Sequence, residues 1–297
     1  MASTSSSSVQ QLYADIVADL VPFYEDAVLL PNQQIIKNSL IVAGSSGSQV
    51  RFPLTNQSTS GATITEGASI EASANYQLAP TSANITFSKR GVASDVNEEA
   101  LEDGGFDLVR NATLSQLSTG IATATDVAGL GVCKTSFTND DGAGVAAATH
   151  TANFVISPEG LAYAAKREPV VKMWFNPDRD RHEFRATVRN GFVALRSNFG
   201  RKISCNATIG SGDANVEALA KSVANLRGAN APVGLDGMYV GLIDPAFEFA
   251  INQQLAQVGG STISSLSDLG NNALRDATIA MIAGVTLYRS NNLPNNA

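Results

Sequence analysis

The chain has 297 residues, of which 44% are hydrophobic and only 16% charged, with a formal net charge of −7. At about 150 residues per domain this is one large or two modest domains, with enough apolar content for a sizeable core and a charge density well under the roughly 25% of an ordinary chain. Depleted charge fits a surface hidden in neighbours, and an acidic total disfavours general nucleic-acid binding, which depends on Lys and Arg neutralising phosphates.

The charge is uneven. Residues 166–202 hold ten Lys/Arg against four Asp/Glu, a net of +6 that leaves −13 for the rest of the chain. The two cysteines, Cys133 and Cys205, have no metal or disulfide spacing and read as buried, idle thiols. Met1-Ala2-Ser3-Thr4 and the serines after it offer neither a basic nor an apolar segment, so no signal peptide is expected. No apolar run approaches the ~18 residues needed to span a bilayer, and no membrane partner is expected.

In chain order, Val9, Leu12, Ile16, Val17 and Leu20 have helical spacing, and Pro22 is expected to stop that helix. A short segment ends at Leu29-Leu30-Pro31, and this opening reads as an arm. Val50–Leu54 reads as a strand. Thr55–Ser88 is rich in Thr, Ser, Ala and Asn, with strand-like pieces at Ala62–Ile64 and Asn84–Phe87. It has too few large side chains for a core of its own and reads as a long thin hairpin that lies on something else. Asp95, Glu98, Glu99, Glu102, Asp103 and Asp107 form an acidic lead-in to a helix over Asp107–Ala128, ~33 Å long at 1.5 Å per residue. Its apolar stripe is Leu114, Leu117, Ile121, Ala124 and Ala128.

Further along, Ser157-Pro158 is expected to open a helix through Lys166, with Pro at the first position. Phe184, Ala186 and Val188 alternate with Arg185, Thr187 and Arg189 as a half-buried strand. Asn190-Gly191 is a hairpin-turn signal, with Phe192–Leu195 as the return strand. Asp213 caps a helix that turns Val216, Leu219, Ala220, Val223 and Leu226 inward, with a Glu217/Lys221 pair and Gly228 at its end. Met238–Ile243 is a buried strand, Pro245–Gln257 a helix, and Ile279–Tyr288 a final strand or strand pair.

Catalytic constellations are missing. Asn176, Asp178 and Asp180 have the spacing of a calcium-loop start, but Arg181 and Thr187 stand where Gly and Glu are needed, so 176–183 reads as a charged hairpin turn. Gly142-Ala143-Gly144-Val145-Ala146-Ala147 loosely matches a dinucleotide fingerprint, yet Thr138-Asn139-Asp140-Asp141 precedes it in place of a strand. No nucleophile elbow, zinc spacing or phosphate loop is present. The expectation is therefore no enzyme, with no catalytic residue, cofactor or metal.

The order of arm, thin hairpin, acidic lead-in, long helix and mixed α+β resembles the tailed-bacteriophage major capsid proteins of the Hong Kong 97 fold. Three stretches carry the resemblance. Arg51-Phe52-Pro53 leading to Ala62-Thr63-Ile64-Thr65-Glu66-Gly67-Ala68-Ser69-Ile70 looks like that family's extended loop. Met238–Pro245 is similar to a strand-to-helix step of its axial domain. Ile282–Pro294, with Ser290-Asn291-Asn292-Leu293-Pro294, is similar to a segment that many members carry. One departure is order: residues 150–205 resemble a segment that often comes last in relatives.

The resemblance implies an α+β fold with an N-terminal arm (1–49), an extended hairpin loop and flanks (50–94), a peripheral domain (95–205) with its spine helix at 107–128, and an axial domain with returning C-terminal strands (206–297). It implies a virion subunit, assembled in the host cytoplasm, that forms hexamers and pentamers of an icosahedral head around double-stranded DNA. The DNA would be met through non-specific proximity. Implied partners are copies of itself, a portal, a separate scaffolding protein (the residues before Val50 being too few for a scaffold domain) and, as an optional addition, a decoration protein. In that family the hairpin crosses a neighbour, so the interface candidates are Arg51, Glu66, Gly67 and Glu71 on the hairpin and Arg181, Arg185, Arg189 and Arg196 on the basic strands, whose other reading is a solvated face or one turned to packaged DNA. An encapsulin-type compartment and, at greater distance, a surface or adhesin protein are the competing readings.

Overall fold

The computed structural model describes residues 4–32, 35–42, 47–54, 81–142, 150–179, 181–206, 216–234, 236–258 and 281–295. The hairpin's Ala62–Ile64, the glycine run after Gly142 and the cap Asp213 lie outside these residues.

Two sheets organise the fold. One has the order β1 (Asn38–Ile41), β6 (Leu161–Asn176), β7 (Arg181–Ala194), β4 (Ser88–Val96). The other has the order β10 (Met281–Ile282), β11 (Val285–Arg289), β9 (Tyr239–Ile243), β5 (His150–Ile156), β8 (Gly200–Asn206). A separate pair, β2 (Gln49–Leu54) with β3 (Thr81–Thr86), forms the base of the expected hairpin.

Among the described residues, the four-stranded sheet carries helices on one face only. There α1 (Thr4–Ala27) and α3 (Phe106–Ser136), entered through the short α2 (Glu98–Gly104), lie over Phe184, Ala186 and Val188 of β7. Val9, Leu12, Ile16, Leu20 and Tyr24 of α1 bury together with Leu114, Leu117 and Ile121 of α3. Gly120 is where α3 comes down on β4, since a Cβ there would lie 2.8 Å from Val92 Cγ2. At 31 residues, α3 is ~46 Å long, eight residues beyond the expected end at Ala128. The extension is held by Leu130, Cys133 and Phe137, which enter the core shared by both sheets. Ala124 and Ala128 are only half-buried, and the buried stripe shifts to Thr125, Asp126 and Gly129.

The five-stranded sheet is covered on both faces. On one face lie α4 (Val216–Gly228) and α5 (Pro245–Val258), and on the other the end of α3 with Leu161 and Tyr163. Asp244 caps α5, with Phe247 N–H donating to its Oδ1 at 2.7 Å. Asn153 on β5 ties the layers. Its Oδ1 accepts from Asp244 N–H at 2.7 Å, and its amide donates to the Ile203 carbonyl of β8 at 3.4 Å.

Four sequence expectations are corrected. The first helix does not stop at Pro22 but runs to Ala27. Ala18, whose carbonyl loses its partner, and Pro22 both face water, while Leu20 and Tyr24 anchor the helix around the defect. Residues 157–166 form no helix. Pro158 sits in a turn closed by Gly160 N–H on the Ser157 carbonyl at 2.8 Å, and Leu161 begins β6. Leu161, Tyr163 and Ala165 bury on one face, and Ala162 and Ala164 on the other, so no polar alternation marks the strand.

Asn190-Gly191 is not a turn either. Both residues lie within β7 and pair in register, Asn190 with Ser88 and Ala165, Gly191 with Ala164. The glycine serves close approach, because a Cβ there would collide with the Thr86 carbonyl of β3. Finally, in α4 it is Ala218 that is buried, while Ala220 faces outward. The charged hairpin turn does lie where expected, between β6 and β7, with Asn176 opposite Arg181 and Asp178 N–H on Asn176 Oδ1 at 3.2 Å.

Candidate functional site

Among the described residues, the second face of the four-stranded sheet has no helix on it. With Phe184, Ala186 and Val188 turned to the helices, period-2 alternation turns Arg181, Glu183, Arg185, Thr187 and Arg189 to the opposite side. One end of that face is covered by the base of the hairpin: Ile85 and Phe87 pack on Ala162 and Ala164, beside Val193. Beyond that cover the face is open and basic.

Register places the charges in rows. Arg189 stands opposite Lys89 on β4 and opposite Arg167 on β6. Two pairs along, Arg185 stands opposite Ala93 and Lys172. Five cations thus share one face over three strands. Lys89, Arg167, Lys172 and Arg185 are exposed and Arg189 is half-buried. Like charges directly opposite in a sheet are destabilising, so the rows are a local cost to the subunit. The guanidinium of Arg185 lies 5.0 Å from the Trp174 ring centroid, and Arg167 Nη2 donates to Thr187 Oγ1 at 2.6 Å.

The other candidates from the sequence fall in different places. Arg181 closes the far end of the same face but is ion-paired within the chain, 2.7 Å from Asp95 and 3.8 Å from Glu183. Arg196 lies away from the rows and stacks over Phe199 at 5.1 Å. Arg51 is exposed on β2, paired with Asn84. Glu66, Gly67 and Glu71 lie outside the described residues. Arg185 and Arg189 are therefore the pair that the fold brings together, and Lys89, Arg167 and Lys172 join them. Lys89 had no sequence signal, being about a hundred residues away.

Among the described residues no group of three His, Cys, Asp or Glu could hold a metal. A groove of about 430 Å³ between α1, β1 and β6 has Tyr24 and Tyr163 in its wall, both phenols pushed up by burial, and its lining includes no His or Cys. Cys133 and Cys205 are buried and form no disulfide, and burial pushes the Cys133 thiol up, away from the reactive thiolate. Among the described residues no helix is long and apolar enough to cross a membrane.

No family model matches the sequence, and no curated protein matches it. Solved structures do match the fold. A chain from the procapsid of bacteriophage JBD30 superposes with a TM-score of 0.52 over 95% of this chain and 99% of its own, at 11% identity. A chain from the JBD30 capsid gives 0.51 over 87% and 89%, at 12% identity. One from the JBD30 capsid decorated with minor capsid protein trimers gives 0.52 over 90% and 92%, at 12% identity. At such identities the likeness speaks for the backbone arrangement and for nothing finer. The chain is built on the mixed α+β fold of a bacteriophage capsid subunit.

Proposed function

We propose that the chain is the shell-forming major capsid protein of a tailed phage, a structural subunit and not an enzyme. On this reading it has the Hong Kong 97 arrangement. Residues 1–49 are its arm, 50–94 its extended loop and flanks, 95–205 its peripheral part and 206–297 its axial part, with β5 and β8 contributed to the axial sheet from the peripheral stretch. Copies close as hexamers and pentamers around double-stranded DNA, with a portal, a separate scaffold and an optional decoration protein as partners.

The observation that carries this reading is the open face with its rows of like charge, set in a fold otherwise found in shells. A face that costs stability in the free subunit is explained when an acidic partner covers it. A second copy can supply one, because residues 52–88 contain Glu66 and Glu71 and no Lys or Arg. Arginine suits the contact, its fork matching a carboxylate and its hydration being weak. Each pair contributes only ~0–1 kcal/mol when exposed, but repetition over a closed shell fixes register and partner choice.

The test is direct. Purified protein viewed by negative-stain microscopy, with light scattering across salt and crowding conditions, should give capsomers or closed shells. A stable monomer under all conditions overturns the reading. Shells that enclose a cargo enzyme in place of DNA would assign the chain to compartments of the encapsulin type.

A further inference from the structure

The two main sheets end in four edge strands, β1, β4, β8 and β10, and among the described residues three of them are guarded against further pairing. β8 is covered: Asp141 N–H donates to the Lys202 carbonyl at 2.8 Å, and Lys202 N–H donates to the Asn139 carbonyl at 3.0 Å. β10 is two residues long. β4 carries exposed Lys89 and Asp95, and charge along an edge discourages strand addition. β1 has none of these devices. Asn38-Ser39-Leu40-Ile41-Val42 contains no charge and no proline, and Leu40 and Ile41 are 41% and 65% exposed. Among the described residues, β1 pairs with β6 alone.

Register decides which backbone groups of β1 are left over. Ile41 stands opposite Ala165 in the parallel ladder, and Val42 N–H donates to the Ala165 carbonyl at 2.8 Å. Successive residues of a strand turn their backbone groups to opposite sides. Asn38, Leu40 and Val42 are therefore turned to β6, and the N–H and C=O of Ser39 and Ile41 point outward from the sheet.

We propose that β1 is a self-pairing edge: it adds in antiparallel register to β1 of a second copy about a two-fold axis, with Leu40 opposite its own counterpart.

The strand is complementary to itself. Centred on Leu40, the pairing lets Ser39 of each copy exchange both backbone hydrogen bonds with Ile41 of the other, so every outward group is met. The two Leu40 side chains meet on one face at the close, non-hydrogen-bonded position, and Ile41 lies beside Ser39 of the other copy on the opposite face. No like charge opposes the approach within these five residues, and the flanking Lys37 is ion-paired with Glu159 at 2.7 Å. An edge without charge offers a different protein little to select it by, whereas a two-fold axis makes the same residues answer themselves. So short a strand buries well under the ~1,000 Å² of a stable complex. The contact is weak alone and gains strength when repeated around an assembly. It uses neither the basic face nor the hairpin, so it stands or falls separately from the shell reading.

Disulfide trapping in the full-length chain tests it, because a covalent bond captures a weak contact. Directly opposed residues of a non-hydrogen-bonded pair have Cα atoms ~4.5 Å apart, within disulfide range. Cys133 and Cys205 are buried, so an added thiol reports alone. At high protein concentration under mild oxidation, Leu40→Cys should run mainly as a dimer on a non-reducing gel. Ala220→Cys, exposed on α4, should stay mainly monomeric. Ile41→Pro removes an outward N–H and leaves the bonds to β6 in place. Added to Leu40→Cys, it should cut the dimer several-fold without lowering Tm. No dimer at position 40, equal cross-linking at 40 and 220, or a dimer that Ile41→Pro leaves undiminished overturns the proposal. Should the proline variant fail to fold, Ile41→Lys, a charged guard at the same exposed position, takes its place. Dimers at position 40 without shells would sink the shell reading and leave the edge pairing standing, and shells without these dimers would do the reverse.

Discussion

Lys89 and Arg189 stand directly opposite one another on β4 and β7, two cations on the open face of a sheet whose other face is covered by helices. A pair of this kind works against folding and has a use only if something negative comes to it. Arg189→Thr should therefore stabilise the isolated subunit by up to about 0.5 kcal/mol, Thr also being the better strand former. The same change should weaken assembly. Denaturant unfolding of the unassembled chain and sedimentation of shells measure the two halves, and a loss on both would make Arg189 an ordinary structural residue.

Charge exchange tests which surfaces meet. Reversing Glu66 and Glu71 to Lys should impair assembly without unfolding the subunit, and adding Arg185→Glu and Arg189→Glu in the same chain should partly restore it. If the four-fold variant assembles no better than the hairpin variant alone, these charges do not meet across the interface.

Gly191→Ala probes the crossing of the hairpin base over the sheet. The new methyl group would run into the Thr86 carbonyl, a backbone atom that cannot step aside without moving β3. A cost of about 1–3 kcal/mol is expected, read as a lowered Tm. An alanine tolerated without loss would mean that β3 does not lie on β7 in solution.

Asn153→Ala should cost about 1–3 kcal/mol, because it strands the buried backbone amide of Asp244, the residue whose carboxylate caps α5. Urea unfolding gives the number. A neutral result would show that water or a neighbouring group replaces the amide oxygen.

Covalent stitching through the hairpin by lysine is not expected, since no lysine lies between Arg51 and Lys89. Boiled particles should run as a single subunit band in a denaturing gel, and a ladder of multimers would contradict this.

Local pattern alone determined several parts of this protein. The alternation of Phe184, Ala186 and Val188 with Arg185 and Arg189 declared a strand with one wet face. Asp244-Pro245 declared the start of α5, and the Leu114, Leu117, Ile121 spacing declared the long helix. Each is a signal written within about a dozen residues, where backbone period and side-chain polarity report directly on one element. What lay beyond that reach was decided by tertiary structure. Ser157-Pro158 signalled a helix, and nothing in Leu161–Ala165 opposed it, because burial of both faces erases the polar alternation of a strand. Gly191 looked like a turn because the strand crossing above it comes from more than a hundred residues away. The basic rows are the clearest case: Lys89, Arg167 and Arg189 are scattered along the chain, and only the registers of β4, β6 and β7 set them side by side. Register between distant strands is fixed by the packing of the whole buried face, and no short stretch of sequence contains it.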